Sequence, residues 1–392
     1  MIGDVPSVAF LDPNRCCGCL ACVASCGKGA LKGSADDLGF PRPIWDGGLC
    51  VGCGACDKAC PVLSPRPQDA RLKAFWAQSS DMARLRGSSS GGIFAALAGV
   101  VLNSSGTVYG AAFTDDFSRV EHIRIDKLSE LGRLMTSKYV QSHVYNKTYQ
   151  NILTDLDKGR TVMFSGTACQ VAAVKNFLGK RKFDGELLAV DVMCHGVPSP
   201  RLWSDYEAYL SSSLGAPLEF VNFRSKTSGW ASFSLQCRAC NEKEIDVSHG
   251  RDWYMKAFLT NHSLRASCLE CPSKQSCGSD LTLGDYWGFE EGEGGPVVDE
   301  GVSAVVVRTP LGEAYLEAVA SKVQLGATPY EDIATKNPAL EHSVTPSEDR
   351  DVFLSDVSSG VPIETLMSRW TFERGFLDKV RGKVAALLKG RR

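Results

Sequence analysis

Past about residue 70, short apolar runs alternate with longer stretches whose apolar positions recur at helical spacing. "TVYGAAF" (107–113), "VEHIRI" (120–125) and "RTVMFSG" (160–166) read as strands, and "TACQVAAVKNFLG" (167–179) as a helix closed by Gly179. "LLAVDVMC" (187–194) is again an apolar strand, followed by the turn "HGVPSP" and an amphipathic helix to about Leu214. "GVSAVVV" (301–307) and "LGEAYLEAVASK" (311–322) add a strand and a helix, and a glycine- and serine-rich loop opens another helix from about Gly92. This alternation predicts an α/β domain in which sheet and helices lie in layers.

Before residue 66 the pattern differs, because cysteine replaces aliphatic periodicity. Cys16, Cys19, Cys22 and Cys26 are spaced C-x2-C-x2-C-x3-C. Cys50, Cys53, Cys56 and Cys60 repeat the spacing, and Pro61 completes the bacterial ferredoxin signature. In that signature three cysteines hold one 4Fe–4S cluster, while the fourth reaches across to the other. The expected sets are therefore Cys16, Cys19, Cys22 and Cys60 for one cluster, and Cys50, Cys53, Cys56 and Cys26 for the second. Zinc is the competing occupant of C-x2-C pairs, and the doubled register of eight cysteines argues against it. Gly27 stands where the first motif usually carries proline, and Cys17 is a spare thiol beside a ligand. Two neighbouring clusters make a short wire for single electrons.

Composition fits this picture. A length of 392 residues suits two or three domains, and 44% hydrophobic with 22% charged residues is ordinary for a chain with a packed core. A net charge of −2 supplies no basic field, so no nucleic-acid partner is expected. No apolar run reaches the roughly 20 residues of a membrane-spanning helix, and the first residues carry no signal-peptide pattern. The expectation is a cytoplasmic protein, where thiols stay reduced and sixteen cysteines point to metal.

Outside the opening motifs the chemistry is less determined. "SSSGGIFAAL" offers glycines and a helix N-terminus to a pyrophosphate, although glycine before a helix is more often a simple turn. In "MTSKYVQS" (135–142), Lys138 could stabilise a reduced flavin and Tyr139 could stack on it; a solvated lysine beside a packed aromatic is the plainer reading. Two metal schemes compete for the later cysteines: a zinc ribbon of Cys237, Cys240, Cys268 and Cys271, or a third cluster held by Cys169, Cys194, Cys268 and Cys271. Cys169 and Cys194 fall at strand C-terminal ends, where α/β sheets place their sites. Cys194 with His195 is a poor nucleophile pair, because neighbours on a strand face opposite ways. Spacing leaves the metal schemes level.

The ordered set "SSGGIFAAL", "SKYVQS", "FSGTACQ", "CHGVPSP", "CLEC" and "SDLTLGDYWG", behind a dicluster ferredoxin, resembles the coenzyme F420 hydrogenase/dehydrogenase beta-subunit family from about residue 10 to about 325. The resemblance implies three units: a ferredoxin domain at 1–66, an α/β domain for FAD and 4Fe–4S at 67–325, and a basic helical tail at 326–392. It assigns the core cluster to Cys169, Cys194, Cys268 and Cys271, which breaks the tie. The flavin site falls on Ser90, Gly91, Gly92, Ser137, Lys138 and Tyr139, with Asp285 as a further polar contact. Cys17, Cys237, Cys240 and Cys277 match no ligand position, and Ala168 replaces a proline common in relatives.

The activity so implied is an oxidoreductase passing hydride or electrons between a deazaflavin such as coenzyme F420, or another hydride carrier, and the clusters through FAD. Its partner is a redox protein or a small hydride carrier. The bacterial branch adds association with polysaccharide-biosynthesis enzymes, and many of its members are not expected to make F420. The alternatives are a non-catalytic electron-transfer subunit and a ferredoxin-dependent reductase serving polysaccharide or tetrapyrrole synthesis. In the tail, Phe376, Val380, Val384 and Leu387 form one helical stripe, expected to pack on the chain itself.

Overall fold

The structure, a computed structural model, describes residues 5–290 and 295–372. The tail stripe from Phe376 to Leu387 lies outside the described residues. The N-terminal part is small: α1 (Ala21–Ala24), the antiparallel pair β1 (Leu31–Ala35) and β2 (Pro41–Trp45), and α2 (Ala55–Ala59). Each short helix carries the third cysteine of its motif, Cys22 and Cys56.

The body is built on an eight-stranded mixed sheet. Its elements in chain order are β3 (Lys73–Ser79), α3 (Met82–Arg86), α4 (Ile93–Asn103), β4 (Thr107–Phe113), β5 (Val120–Ile125), α5 (Asn146–Asp157), β6 (Val162–Thr167), α6 (Ala168–Leu178) and β7 (Leu187–Val192). After α7 (Pro200–Leu214) the chain leaves the sheet for an antiparallel meander of β8 (Leu218–Ser225), β9 (Ser234–Ala239) and β10 (Glu244–Ser248), then α8 (Trp253–Leu259). It returns with β11 (Leu281–Asp285), β12 (Ser303–Val307), α9 (Pro310–Val319) and β13 (Val323–Ala327). The spatial order is β13-β3-β12-β11-β7-β6-β4-β5. The central strands β11, β7, β6 and β4 run parallel, and both flanks are antiparallel.

The central strands are apolar on both faces because helices cover both. On one side α4 and α9 pack Ile93, Leu97, Val101 and Leu316 over Val108, Met163, Leu188 and Val305. On the other, α5 and α6 pack Tyr149, Ile152, Val171 and Val174 over Val162, Phe164 and Ala189, and this core also takes in Cys17, Cys19, Ala21, Ala24 and Ala59. The ferredoxin part thus adds a further layer over α5 and α6.

The structure revises two expectations about organisation, the boundary at 325 and the separate tail. The segment "SPRPQD" (64–69) is pinned to the body: Asn176 donates to the Ser64 carbonyl at 2.8 Å, and the Asp69 carboxylate accepts from the Gly278 and Cys277 amides at 2.7 and 3.0 Å. The boundary expected at 325 falls inside β13. Beyond it, α10 (Tyr330–Lys336), α11 (Arg350–Ser358) and α12 (Ile363–Arg369) fold onto the body, with Ile333, Phe353, Leu354 and Leu366 buried in its cores. The described part of the expected tail is therefore integral to the body.

One glycine shows how tightly the sheet edge is closed. A Cβ on Gly91 would stand 2.2 Å from the Ala77 carbonyl oxygen and 2.6 Å from the Ser303 amide nitrogen. Gly91→Ala is expected to lower unfolding stability by about 3 kcal/mol through overpacking. Gly250→Ala, where nothing lies within 4 Å, should stay within about 0.5 kcal/mol of the parent in the same denaturant titration.

Candidate iron–sulfur and cofactor sites

All sixteen cysteines are free thiols, and they fall into separate groups. Burial pushes the Cys22 thiol up, and neighbouring Cys16 and Cys60 push the same way. Cys60 is also raised by burial and has Cys16 beside it, while Cys19 faces Cys22 and Cys60. The second group, Cys26, Cys50, Cys53 and Cys56, lines a single cavity with Trp45 and Leu31. Cys60 thus lies near Cys16 of the first motif, and Cys26 lies in the cavity lined by the second.

The third group forms where two adjacent parallel strands end. Cys169 follows β6 and Cys194 follows β7. Cys268 and Cys271 come from the segment after α8, which is held against the 197–199 turn by a Ser199 amide bond to the Ser263 carbonyl and an Arg265 amide bond to Val197. Together the four line one cavity. Burial pushes Cys194 up to about 12 and Cys271 up to about 11. Cys268 is raised by burial too, with Cys194, Cys169 and Cys271 adding to it. Four thiols that resist ionising together are a fitting set for a cationic metal centre, which deprotonates its ligands on binding. Among the described residues, no three His, Cys, Asp or Glu side chains converge on a single-ion site. Cys237, buried inside β9, and Cys240, exposed, do not line the cavity of Cys268 and Cys271, which speaks against the zinc ribbon.

The first and third groups are joined by a clamp. Arg265, 3% exposed, donates from Nε to the Cys16 carbonyl at 2.7 Å, from Nη2 to the Pro41 carbonyl at 3.1 Å and from Nη1 to Gln141 at 3.0 Å. Gln141 in turn donates to the Cys17 carbonyl at 3.0 Å, and the Tyr149 hydroxyl to the Cys19 carbonyl at 2.7 Å. Cys17 itself lines the third group's cavity.

The residues expected at a flavin are brought together, yet most are spent on packing. The two loops touch where the Ser137 amide donates to Ser89 Oγ at 2.7 Å. Ser90 Oγ donates to the Val302 carbonyl, and the Gly91 amide to Ser303 Oγ, so this loop is tied to β12. Gly92, at φ 81°, caps the start of α4. Tyr139 stacks on Phe258 at 4.7 Å, and its hydroxyl accepts from Arg224. Asp285 pairs with the same Arg224 at 2.7 Å and accepts from the Trp230 indole at 3.2 Å. Arg224 lies 4.1 Å from the Phe233 ring centre and 5.1 Å from that of Trp287. Lys138 Nζ donates to the carbonyls of Arg133, Met135 and Thr136, and burial draws its ammonium down to about 7.

Lys138 alone of the expected set lines a cavity of about 810 Å³ between the end of β4 and the meander. Arg86, Arg133 and Lys226 share that lining with Phe113 and Asn222. Burial first, then neighbouring Arg224, draws Lys226 down to about 8, and it donates to the Leu85, Ser90 and Glu300 carbonyls. The volume is within the range of organic-cofactor pockets, and the lining is of mixed charge, because Glu300 and Asp115 also line it and pair with Arg86 and Arg133.

A family model for the C terminus of the coenzyme F420 hydrogenase/dehydrogenase beta subunit matches residues 159–333. That part of the chain is similar to the coenzyme F420 hydrogenase/dehydrogenase beta-subunit family. A 4Fe–4S binding domain model matches residues 43–64, which contain Cys50, Cys53, Cys56 and Cys60. No curated protein matches the chain. Among solved structures, a chain of the xenon-derivatised F420-reducing [NiFe] hydrogenase complex from Methanosarcina barkeri matches 78% of this chain and 94% of its own length. It does so at 17% identity and a TM-score of 0.44. The two family matches make this an iron–sulfur protein related to the F420 hydrogenase/dehydrogenase beta subunit. Its family region spans β6 to α10 and so contains all four cysteines of the third group.

Arg224, Arg265, Gln141 and Lys226 were not singled out by the sequence. Gln141 lies within the "SKYVQS" stretch, which was legible; the arginines are isolated in sequence and gain meaning only through the pairing of distant segments. Asp285→Asn removes the charge facing a nearly inaccessible guanidinium, and should lower stability by about 3 kcal/mol even without any ligand, as read by thermal unfolding. Cys268→Ala should remove about four irons per chain, while Cys240→Ala removes none, as counted by metal analysis of protein prepared without oxygen.

Proposed function

We propose that this chain is an iron–sulfur flavoprotein that passes electrons between a hydride carrier and a redox partner protein. The observation that carries the reading is the continuity of the three thiol groups. Cys169, Cys194, Cys268 and Cys271 would hold a core cluster, and their cavity is lined in part by the ferredoxin loop itself. Cys16, Cys19, Cys22 and Cys60 follow, then Cys26, Cys50, Cys53 and Cys56. Cys53 is exposed, and so are Phe10, Ile44, Leu49 and Val51 in the same small domain. An exposed apolar surface beside the last group suits docking of a redox partner.

The cavity beside Lys138 is the candidate flavin site. Bound there, FAD would supply the exchange between a hydride and two single electrons. Arg86 and Arg133 would receive its phosphates in exchange for Glu300 and Asp115, and Lys138 lines the same cavity. The segment from Lys138 to Gln141 runs from this cavity to that of the core thiols, so the two sites share one short stretch of backbone. Coenzyme F420 is the hydride carrier the family suggests; another carrier would use the same chemistry.

A second reading keeps the clusters and drops the flavin: an electron-transfer subunit without catalysis. It is favoured by the way Ser90, Gly91, Gly92, Ser137, Tyr139 and Asp285 are occupied by packing. Oxygen-free preparation separates the two. About twelve irons and one released flavin per chain are expected. Twelve irons without flavin, and no turnover with any hydride donor, would replace the first reading with the second; zinc in place of iron would remove both.

A further inference from the structure

We propose that Cys17 is the contact through which single electrons cross between the core cluster and the first ferredoxin cluster. The inference rests on the reading that both clusters are present. Cys17 adjoins the expected ligand Cys16 in sequence, and it is buried in one core with Cys19, against which Cys169 packs. These belong to different groups, one from the ferredoxin part and one from the body. Its thiol also lines the cavity shared by Cys169, Cys194, Cys268 and Cys271.

The backbone gives that thiol little freedom to leave. Gln141 holds the Cys17 carbonyl, and Arg265 holds that of Cys16. Gly18, at φ 70°, has no room for a Cβ, which would meet Arg265 Nη1 at 2.6 Å and the Pro41 carbonyl oxygen at 2.7 Å. A side chain 7% exposed and fixed in this way is placed by the docking of the two parts, not by the ferredoxin fold alone.

A cysteine here does two things that another small residue would not. Its sulfur is polarizable and fills the gap between two ligand sets, so one electron leaves one cluster and enters the other with no bond made or broken. Its S–H can also donate to a ligand sulfur, and hydrogen bonds to the sulfurs are among the determinants of cluster potential. The ordinary alternative is a buried thiol that serves only as a small apolar side chain.

The test uses the full chain purified without oxygen, as wild type, Cys17→Ala and Cys17→Ser. Iron is counted first, then each protein is titrated with dithionite under electron paramagnetic resonance, and intramolecular transfer is timed after flash reduction. All three should hold the same iron. In Cys17→Ala, transfer between core and first ferredoxin clusters should slow by roughly an order of magnitude, and the potentials of those two clusters should fall. The cluster of Cys26, Cys50, Cys53 and Cys56 should not move. Cys17→Ser, which keeps a donor, should recover the potentials but not the full rate. Unchanged rate and potentials at full iron content would overturn the proposal, as would loss of about four irons, which would make Cys17 a ligand. A wild type lacking the core cluster would instead overturn the functional reading, and that result is in hand before any variant is compared.

Discussion

The structure depends on one buried guanidinium. Arg265 reaches from the body into the ferredoxin loop and binds the carbonyls of Cys16 and Pro41, with Gln141 completing the clamp on Cys17. Among the described residues it forms no ion pair with a carboxylate. A buried cation without a counter-charge costs several kcal/mol unless hydrogen bonds and nearby negative charge offset it. Here three of its five N–H groups find acceptors, and thiol groups lie on both sides; its charge already opposes the rise of the Cys169 thiol's pKa. Ionised cysteines would therefore strengthen the joint that brings them together, so docking and cluster loading would reinforce each other.

The position of the joint follows from sheet topology. Parallel strands deliver their C-terminal ends to one edge, and β6 and β7 are direct neighbours there. The residues just past each end, Cys169 and Cys194, then face a shared space. The other half of the space needs a chain returning from elsewhere, and the pairing of Ser263 to Arg265 with the 197–199 turn provides it. That same segment carries Arg265 three residues before Cys268. One loop therefore contributes both to the core thiol group and to the clamp on the ferredoxin, and a shift in one would disturb the other.

How much of this was legible in the sequence tracks how local each feature is. The doubled cysteine spacing is a local pattern, and a 4Fe–4S binding domain model matches its second half. The strands at 107–113 and 120–125, and the helix ends at Gly179 and Leu214, follow from periodicity and caps within a few residues. The core cysteines were not separable by spacing, because Cys268 and Cys271 meet Cys169 and Cys194 only through tertiary pairing. "SSSGGIF" suggested a phosphate loop, but its glycine is required by a backbone approach to Ala77 and Ser303. "LTLGDYWG" is β11 itself, and Asp285 answers a distant arginine on β8. Both stretches pack backbone or charge against a partner remote in sequence, and a linear reading has no access to that partner.

A ferredoxin part fused to a larger domain could swing on a tether and dock only intermittently, gaining from a high effective concentration. The contacts here describe a different solution. The strap at 64–69 is bonded to Asn176 and to the 277–278 amides, and Arg66 also donates to Asn176. Ala21, Ala24 and Ala59 are buried in the same core as α5 and α6. Small residues at those positions let the short cluster-bearing helices approach α5 and α6 closely, with no bulky side chain to widen the gap. In a docked arrangement the separation between thiol groups is set by packing and not by diffusion. Transfer across it would then be sensitive to single buried side chains at the joint, whereas Cys53, at the far group, is exposed.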